Sequence, residues 1–223
     1  MWWYRGINKR EANTYAGHEA IGIVEEVGAA VTNVQVGDFV IVPFTHGCGE
    51  CAACRAGFDG DCTNREIVKN SGYQGEYLRY VNADWSLVKG PGQPSDYSDN
   101  QLNSLLTLSD VMATGFHAAK TAEVKEGDTV VVMGDGAVGL CGVIGAKLLG
   151  AKRIIAMSRH ADRQALAREF GATDIVEECG DKAVAKVMEL TNNAGADAVL
   201  ECVGTEQSVQ TATQICRPGA IIG

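Results

Sequence analysis

No apolar run in this 223-residue sequence approaches the roughly 20 residues of a membrane-spanning helix. The opening Met1-Trp2-Trp3-Tyr4-Arg5 lacks the layout of a signal peptide. There is no basic excess either, and a formal net charge of −9 sets up a field that repels nucleic acid and anionic membranes. These absences predict a cytoplasmic protein with neither a nucleic-acid nor a membrane partner. Disulfides are uncommon in that compartment, so the eight cysteines are expected to stay as thiols or to bind metal. None of the cysteines precedes Cys48. With 46% hydrophobic residues the composition is ordinary for a globular protein of one large domain or two small ones.

The stretch from Thr129 to Arg159 organises the chain. Thr129-Val130-Val131-Val132-Met133 is β-branched without alternation and reads as a strand buried on both faces. Gly134-Asp135-Gly136-Ala137-Val138-Gly139 follows, then an apolar helix over Val138 to Leu149 in which Gly142 and Gly145 permit close packing. In such a turn the first glycine takes the backbone angles, the second lets the main chain approach a pyrophosphate, and the third lets helix sit on strand. The helix N-terminus then faces the phosphates. A glycine-rich turn alone is weak, but Arg153 to Met157 supplies a second apolar strand where a parallel partner belongs. The punctuation recurs before Asp174 to Val176 and before Ala198 to Val203, with Gly150, Gly171 and Gly195 expected as helix C′ caps. Strands alternating with helices at this spacing predict a parallel α/β sheet.

The end of the second strand bears on the cofactor. An NAD enzyme usually places an acidic residue there for the ribose hydroxyls. This chain has Ser158-Arg159-His160, with Arg163 one helical turn on. A hydroxyl and a guanidinium can hold a phosphate dianion, which predicts NADP, with NAD as the alternative. Arg159 as a plain solvated charge is the bland reading.

The first half is punctuated differently. Glycine and Gly-Asp turns separate short β-branched runs between Gly17 and Val40, an all-β pattern. His18 and Glu19 lie at its start, and on residues alone they read as structural or surface groups as readily as ligands. Cys48, Cys51, Cys54 and Cys62 are spaced by two, two and seven residues. Four thiolates in that span, interleaved with glycines, can close a tetrahedron around a structural zinc; two disulfides or unliganded thiols are the rivals. From Ser71 to Val88 short strands return, with Tyr73, Tyr77, Tyr80 and Trp85 read as core or interface. Lys89 to Asp96, with Pro91 and Pro94, reads as a connecting loop. Leu102 to Lys120 is helical in pattern and contains Asp110, which needs a polar partner in an apolar helix.

Together these elements resemble the zinc-dependent medium-chain alcohol dehydrogenases, from the first residues to the last. The ordered set is Gly17-His18-Glu19 with Gly22 and Gly28, Val36-Gly37-Asp38, the cysteine lobe, Asp110 before Thr114-Gly115, and the glycine turn. The resemblance implies an α/β chain with a partial β-rich GroES-like catalytic domain over residues 1–100. Residues 101–223 would be a connecting helix and a partial Rossmann domain, a doubly wound parallel sheet. It implies a catalytic zinc held by His18 and Asp110, with Glu19 ligating or orienting. Thr114, Gly134, Gly136, Ala137, Val138, Gly139, Ser158, Arg159, Arg163 and Val203 would meet the dinucleotide. Zinc acidifies an alcohol oxygen, the nicotinamide takes hydride from the substrate carbon, and the reverse direction reduces an aldehyde or ketone. Trp2, Trp3 and Tyr4 could line an apolar substrate pocket or equally serve as plain core.

The chain departs from the family at its ends. The family's upstream cysteine ligand has no counterpart, and the sequence stops at Ala220-Ile221-Ile222-Gly223 in a run that reads as a fifth strand. It therefore reads as a fragment, expected to be inactive alone, of a protein whose full-length form is a homo-oligomer. The rivals are a zinc-free quinone or enone reductase of the same superfamily and a non-catalytic zinc-binding protein.

Overall fold

The chain divides between Asp110 and Val111 into two units. The computed structural model describes Gly6, Lys9, residues 16–65 and residues 73–223. The pocket reading of Trp2, Trp3 and Tyr4 and the start of the Ser71–Val88 stretch lie outside the described residues.

In the first unit β1 (Ala20–Ile23), β2 (Phe39–Val42), helical turns α1 (Ala52–Arg55) and α2 (Ala83–Ser86), β3 (Val88–Lys89) and α3 (Asp99–Leu106) follow in order. The strands form an antiparallel sheet with β2 in the middle. Ala20 faces Val42 and Ile23 faces Phe39. All of β2 is buried, and Val40 and Val42 pack with Ala20 and Val34. The Gly37-Asp38 turn brings the chain back into β2: Asp38 Oδ2 accepts the Gln35 amide at 2.8 Å, and the Gly37 amide donates to the Val24 carbonyl at 2.8 Å.

The pattern over Leu102–Lys120 reads as one helix, and the structure breaks it. Ser98 and Gln101 start α3 with a reciprocal capping box. A 3₁₀ turn over Thr107–Ser109 follows, and Asp110 takes φ −150° and ψ −75°, outside helical values. The cause is tertiary. The Phe44 amide, just past β2, donates to the Ser109 carbonyl at 3.0 Å, occupying the acceptor that a continuous helix would spend on itself.

The second unit opens with α4 (Val111–Thr121) and continues through β4 (Thr129–Met133), α5 (Ala137–Leu148), β5 (Arg153–Met157), α6 (Ala161–Phe170), β6 (Asp174–Val176), α7 (Asp181–Leu190), β7 (Ala196–Glu201), α8 (Glu206–Ile215) and β8 (Cys216–Ile222). The strands form a sheet in the order β6-β5-β4-β7-β8, parallel throughout. Val130 and Val132 enter one apolar cluster and Val131 and Met133 another, so β4 is buried on both faces as its composition predicts. The Ala220-Ile221-Ile222 run lies in β8, with Ile221 opposite Ala198.

Two glycine readings separate here. A methyl on Gly115 of α4 would lie 2.6 Å from the Gly142 amide nitrogen, and one on Gly145 would lie 3.0 Å from the Phe116 Cα, so these glycines bring α4 and α5 together. Gly150 and Gly171 follow their helices at positive φ, but Gly195 does not cap α7. Asn192 and Asn193 take the left-handed turn after α7, at φ 52° and 63°. Among the described residues, no helix is long and apolar enough to cross a membrane.

Candidate metal centres and cofactor site

The cysteine lobe is built from loop and single-turn structure with little apolar core of its own. Cys51 caps α1, its sulfur accepting the Cys54 amide at 3.5 Å. The Cys48 sulfur accepts the Glu50 and Cys51 amides at 3.4 and 3.3 Å, and the Cys48 amide donates to the Cys62 sulfur at 3.3 Å. Trp85 closes the lobe from α2. Its indole N–H donates to Asp59 at 2.8 Å, and a methyl on Gly49 would lie 2.7 Å from its ring. Trp85 and Tyr77 are exposed, whereas the Tyr80 hydroxyl reaches the Pro43 carbonyl at 3.2 Å. The aromatic stretch is thus core at Tyr80 and surface at Tyr77.

All four sulfurs lie within 4.8 Å of one another, with Cys51 at 3.5 Å from Cys54 and 3.9 Å from Cys62. A tetrahedral zinc with bonds of about 2.3 Å sets sulfur separations of about 3.8 Å, so the cluster fits that ion. The eight cysteines are free thiols, and the disulfide alternative falls. Their titration is unequal. Backbone amides from Cys54 and Thr63 stabilise the Cys51 thiolate and bring its pKa to about 5, while burial pushes Cys54 up to about 12. A bound cation would reverse the preference of Cys54, since the metal ligand is the thiolate.

The second donor set comes from distant sequence. His18, just ahead of β1, places Nε2 2.7 Å from Asp110 Oδ2 across 92 positions of chain. The helix break at Asp110 makes this possible, and the Phe44 ring stands edge-on to the imidazole with centroids 6.0 Å apart. Nitrogen and carboxylate are suitable zinc donors. Bonds of about 2.0–2.1 Å would hold two tetrahedral ligands about 3.3 Å apart, so a metal would separate this pair slightly. Among the described residues the cysteines are the cluster of three or more possible ligands; Glu19 does not complete a third at His18 and Asp110.

The glycine turn joins β4 to α5. Gly134 has φ +103°, and its missing methyl faces Val203 Cγ2 at 3.1 Å. Around Gly136 nothing lies within 4 Å of where a methyl would stand, leaving the main chain open for close approach, and α5 begins at Ala137. A methyl on Gly139 would lie 2.0 Å from the Gly134 carbonyl oxygen, so the third glycine is required for this helix–strand contact. Thr114 precedes Gly115 on α4, half-buried. Ser158 is buried at the end of β5, Arg159 is exposed, and Arg163 lies on the first turn of α6. Asp135, given no role in the sequence reading of the turn, engages two of these residues. Ser158 Oγ donates to Asp135 Oδ2 at 2.8 Å, and Arg163 Nη1 donates to Asp135 Oδ1 at 2.8 Å. Partial burial works to raise the Asp135 pKa, but these two bonds and the nearby charges hold it below the usual carboxylate value. An acidic residue between turn glycines, opposite a Ser-Arg strand end, was the available signal.

One unit with a doubly wound parallel sheet and this turn, and another with an antiparallel sheet, a four-cysteine lobe and a His–Asp pair, define the class, and sequence comparison agrees. Residues 1–92 match the alcohol dehydrogenase GroES-like domain and residues 137–222 the zinc-binding dehydrogenase model. The chain belongs to the zinc-dependent medium-chain alcohol dehydrogenase family, with a GroES-like and a Rossmann-type domain. It is 38% identical over 215 residues to the NADP-dependent isopropanol dehydrogenase of Clostridium beijerinckii, covering 94% of this chain and 60% of that protein. It is 35% identical to the medium chain reductase/dehydrogenase ucsI of an Acremonium species, covering 91% of this chain and 70% of that one. Among solved structures, alcohol dehydrogenase TADH from Thermus sp. ATN1 superposes with a TM-score of 0.86 at 30% identity, covering 98% of this chain and 63% of that one. The chain spans about 60% and 52% of the lengths of the first two curated relatives.

Proposed function

We propose that this chain is the zinc- and NADP-binding portion of an alcohol dehydrogenase that moves hydride between an alcohol or carbonyl substrate and the nicotinamide. The observation that carries this is the meeting of His18 and Asp110, which a zinc-free reductase would have no cause to assemble. His18 and Asp110 would hold the catalytic zinc, and Glu19, the next residue after His18, would have to swing towards them to ligate or orient. When bound there, zinc supplies the Lewis acidity that polarises an alcohol or carbonyl oxygen. Cys48, Cys51, Cys54 and Cys62 would hold a second zinc in a closed site that maintains shape and does no chemistry.

The remaining residues bind and orient. The glycine turn with Ala137 and Val138 presents backbone N–H groups at the start of α5 to the pyrophosphate. Ser158, Arg159 and Arg163 address the 2′-phosphate, while Thr114 and Val203 bound the nicotinamide. The sequence boundary between catalytic and cofactor domains, residues 1–100 and 101–223, falls within α3, and the compact units part ten residues later, after Asp110; the protein works as a cytoplasmic homo-oligomer. The isopropanol dehydrogenases of Clostridium beijerinckii and Thermoanaerobacter brockii are named as NADP-dependent, which supports the cofactor choice.

The test is NADPH formation from a panel of primary and secondary alcohols, with zinc added or withheld, by this chain and by a form extended to the length of the relatives. Zinc-dependent turnover by the extended form is expected, with the 223-residue chain essentially inactive. An extended form that reduces quinones without zinc and never oxidises alcohols would overturn the proposal.

A further inference from the structure

Two of the side chains read as the 2′ subsite are already engaged by an anion of the chain's own. Asp135 Oδ2 holds the hydroxyl of Ser158 and Asp135 Oδ1 holds the guanidinium of Arg163, both at 2.8 Å. Its side chain is only 17% exposed, so water screens it weakly. The glycines on either side shape the backbone around it: Gly134 turns the chain at φ +103°, and the space over Gly136 is open.

We propose that Asp135 is a specificity-determining residue that weakens selection for a 2′-phosphate, so that the subsite discriminates less between NADP and NAD than Ser158 and Arg159 alone would. The inference rests on the reading of Ser158, Arg159 and Arg163 as the 2′ subsite. A phosphate dianion entering there competes with the carboxylate for Arg163 and Ser158 and meets a like charge at close range. A 2′-hydroxyl meets neither penalty, because an ionised carboxylate accepts its hydrogen bond, as an acidic residue at the strand end does in NAD enzymes. Arg159 is exposed at the same strand end and offers the phosphate a guanidinium that Asp135 does not hold.

The experiment is calorimetric titration of the 223-residue chain with adenosine 2′,5′-bisphosphate and, separately, with adenosine 5′-monophosphate. In Asp135→Asn the carboxamide oxygen still accepts from Ser158 but the charge is gone. The affinity ratio of bisphosphate to monophosphate should then rise about tenfold or more, through tighter bisphosphate binding. Asp135→Ser, neutral and smaller, should shift the ratio the same way if the asparagine form is unstable. A role confined to folding would lower the melting temperature and weaken both ligands together, leaving the ratio unmoved. A ratio within about twofold of wild type, or one that falls because Asp135 positions Arg163 for the phosphate, overturns the inference. The NADP reading is judged separately, by the wild-type ratio and its loss in Arg159→Glu.

Discussion

Arg153 and Asp174 stand at the first positions of neighbouring parallel strands, β5 and β6, and form a two-pronged pair. Nε meets Oδ2 at 2.9 Å and Nη2 meets Oδ1 at 2.8 Å, while a third donor of the same guanidinium holds the Leu190 carbonyl at the end of α7. One side chain thereby ties a strand end to a helix end. The bond from Arg153 is the leading cause that holds the Asp174 carboxyl below its ordinary value. Because the folded-state pKa is depressed, its stabilisation is fully present above the unfolded value of about 3.9 and is lost as pH falls through the folded value. Asp174→Asn should lower stability at neutral pH by about 1 kcal/mol, since the pair is partly solvated. The difference from wild type should begin to close below about pH 4. Urea unfolding followed by circular dichroism at pH 7 and in mild acid would check both; a gap that stays constant with pH would show that carboxylate charge is not its origin.

At the scale of elements the glycine turn offers a paired test, because two of its glycines meet different surroundings. Gly139→Ala drives a methyl to 2.0 Å from the Gly134 carbonyl, so β4 and α5 must separate. A loss of about 1–3 kcal/mol or more is expected, visible as a lower melting temperature. Gly136→Ala adds its methyl where nothing lies within 4 Å, at φ −81°, so melting should hardly change. Dinucleotide affinity should nevertheless fall in Gly136→Ala, because the methyl would occupy the open space where the proposed site receives the pyrophosphate. Unchanged NADP binding there would remove the turn from the cofactor site. Strand β4 and this turn were legible in the sequence because local chemistry alone dictates them: β-branched residues without alternation, then glycines at fixed offsets. The break at Asp110 was not legible, because apolar periodicity runs through it and the interrupting bond joins Ser109 to Phe44, 65 positions before it. Gly195 misled for a related reason. A glycine between helix and strand reads as a cap, but the chain had already turned at Asn192 and Asn193, whose tolerance of left-handed angles was the overlooked cue. Asp135 was missed because turn motifs train attention on glycines and treat the residues between as spacers.

Across the whole molecule, the two proposed metal sites fall in the same unit, Met1–Asp110, yet differ in kind. The cysteine lobe presents four sulfurs already within 4.8 Å of one another, fixed by backbone amides and by Trp85. The His18–Asp110 set presents one nitrogen and one carboxylate that at present satisfy each other. Four thiolates supply charge and a closed tetrahedron, and structural zinc sites of that kind bind with apparent free energies of about 10–16 kcal/mol. That is comparable with the whole stability of a domain, about 5–15 kcal/mol, so the lobe and its metal should fold as one. The 223-residue chain is therefore expected to retain about one zinc firmly through dialysis and to take up a second only weakly. Cys54→Ser should abolish the firm zinc and speed amide hydrogen exchange from Cys48 to Cys62. His18→Ala should leave the firm zinc in place and remove only the weak uptake. Native mass spectrometry with hydrogen exchange reads both variants. If Cys54→Ser kept its zinc, or if His18→Ala lost the firm ion, the division into a shape-holding site and a reactive one would be reversed, and with it the placement of the chemistry at His18 and Asp110.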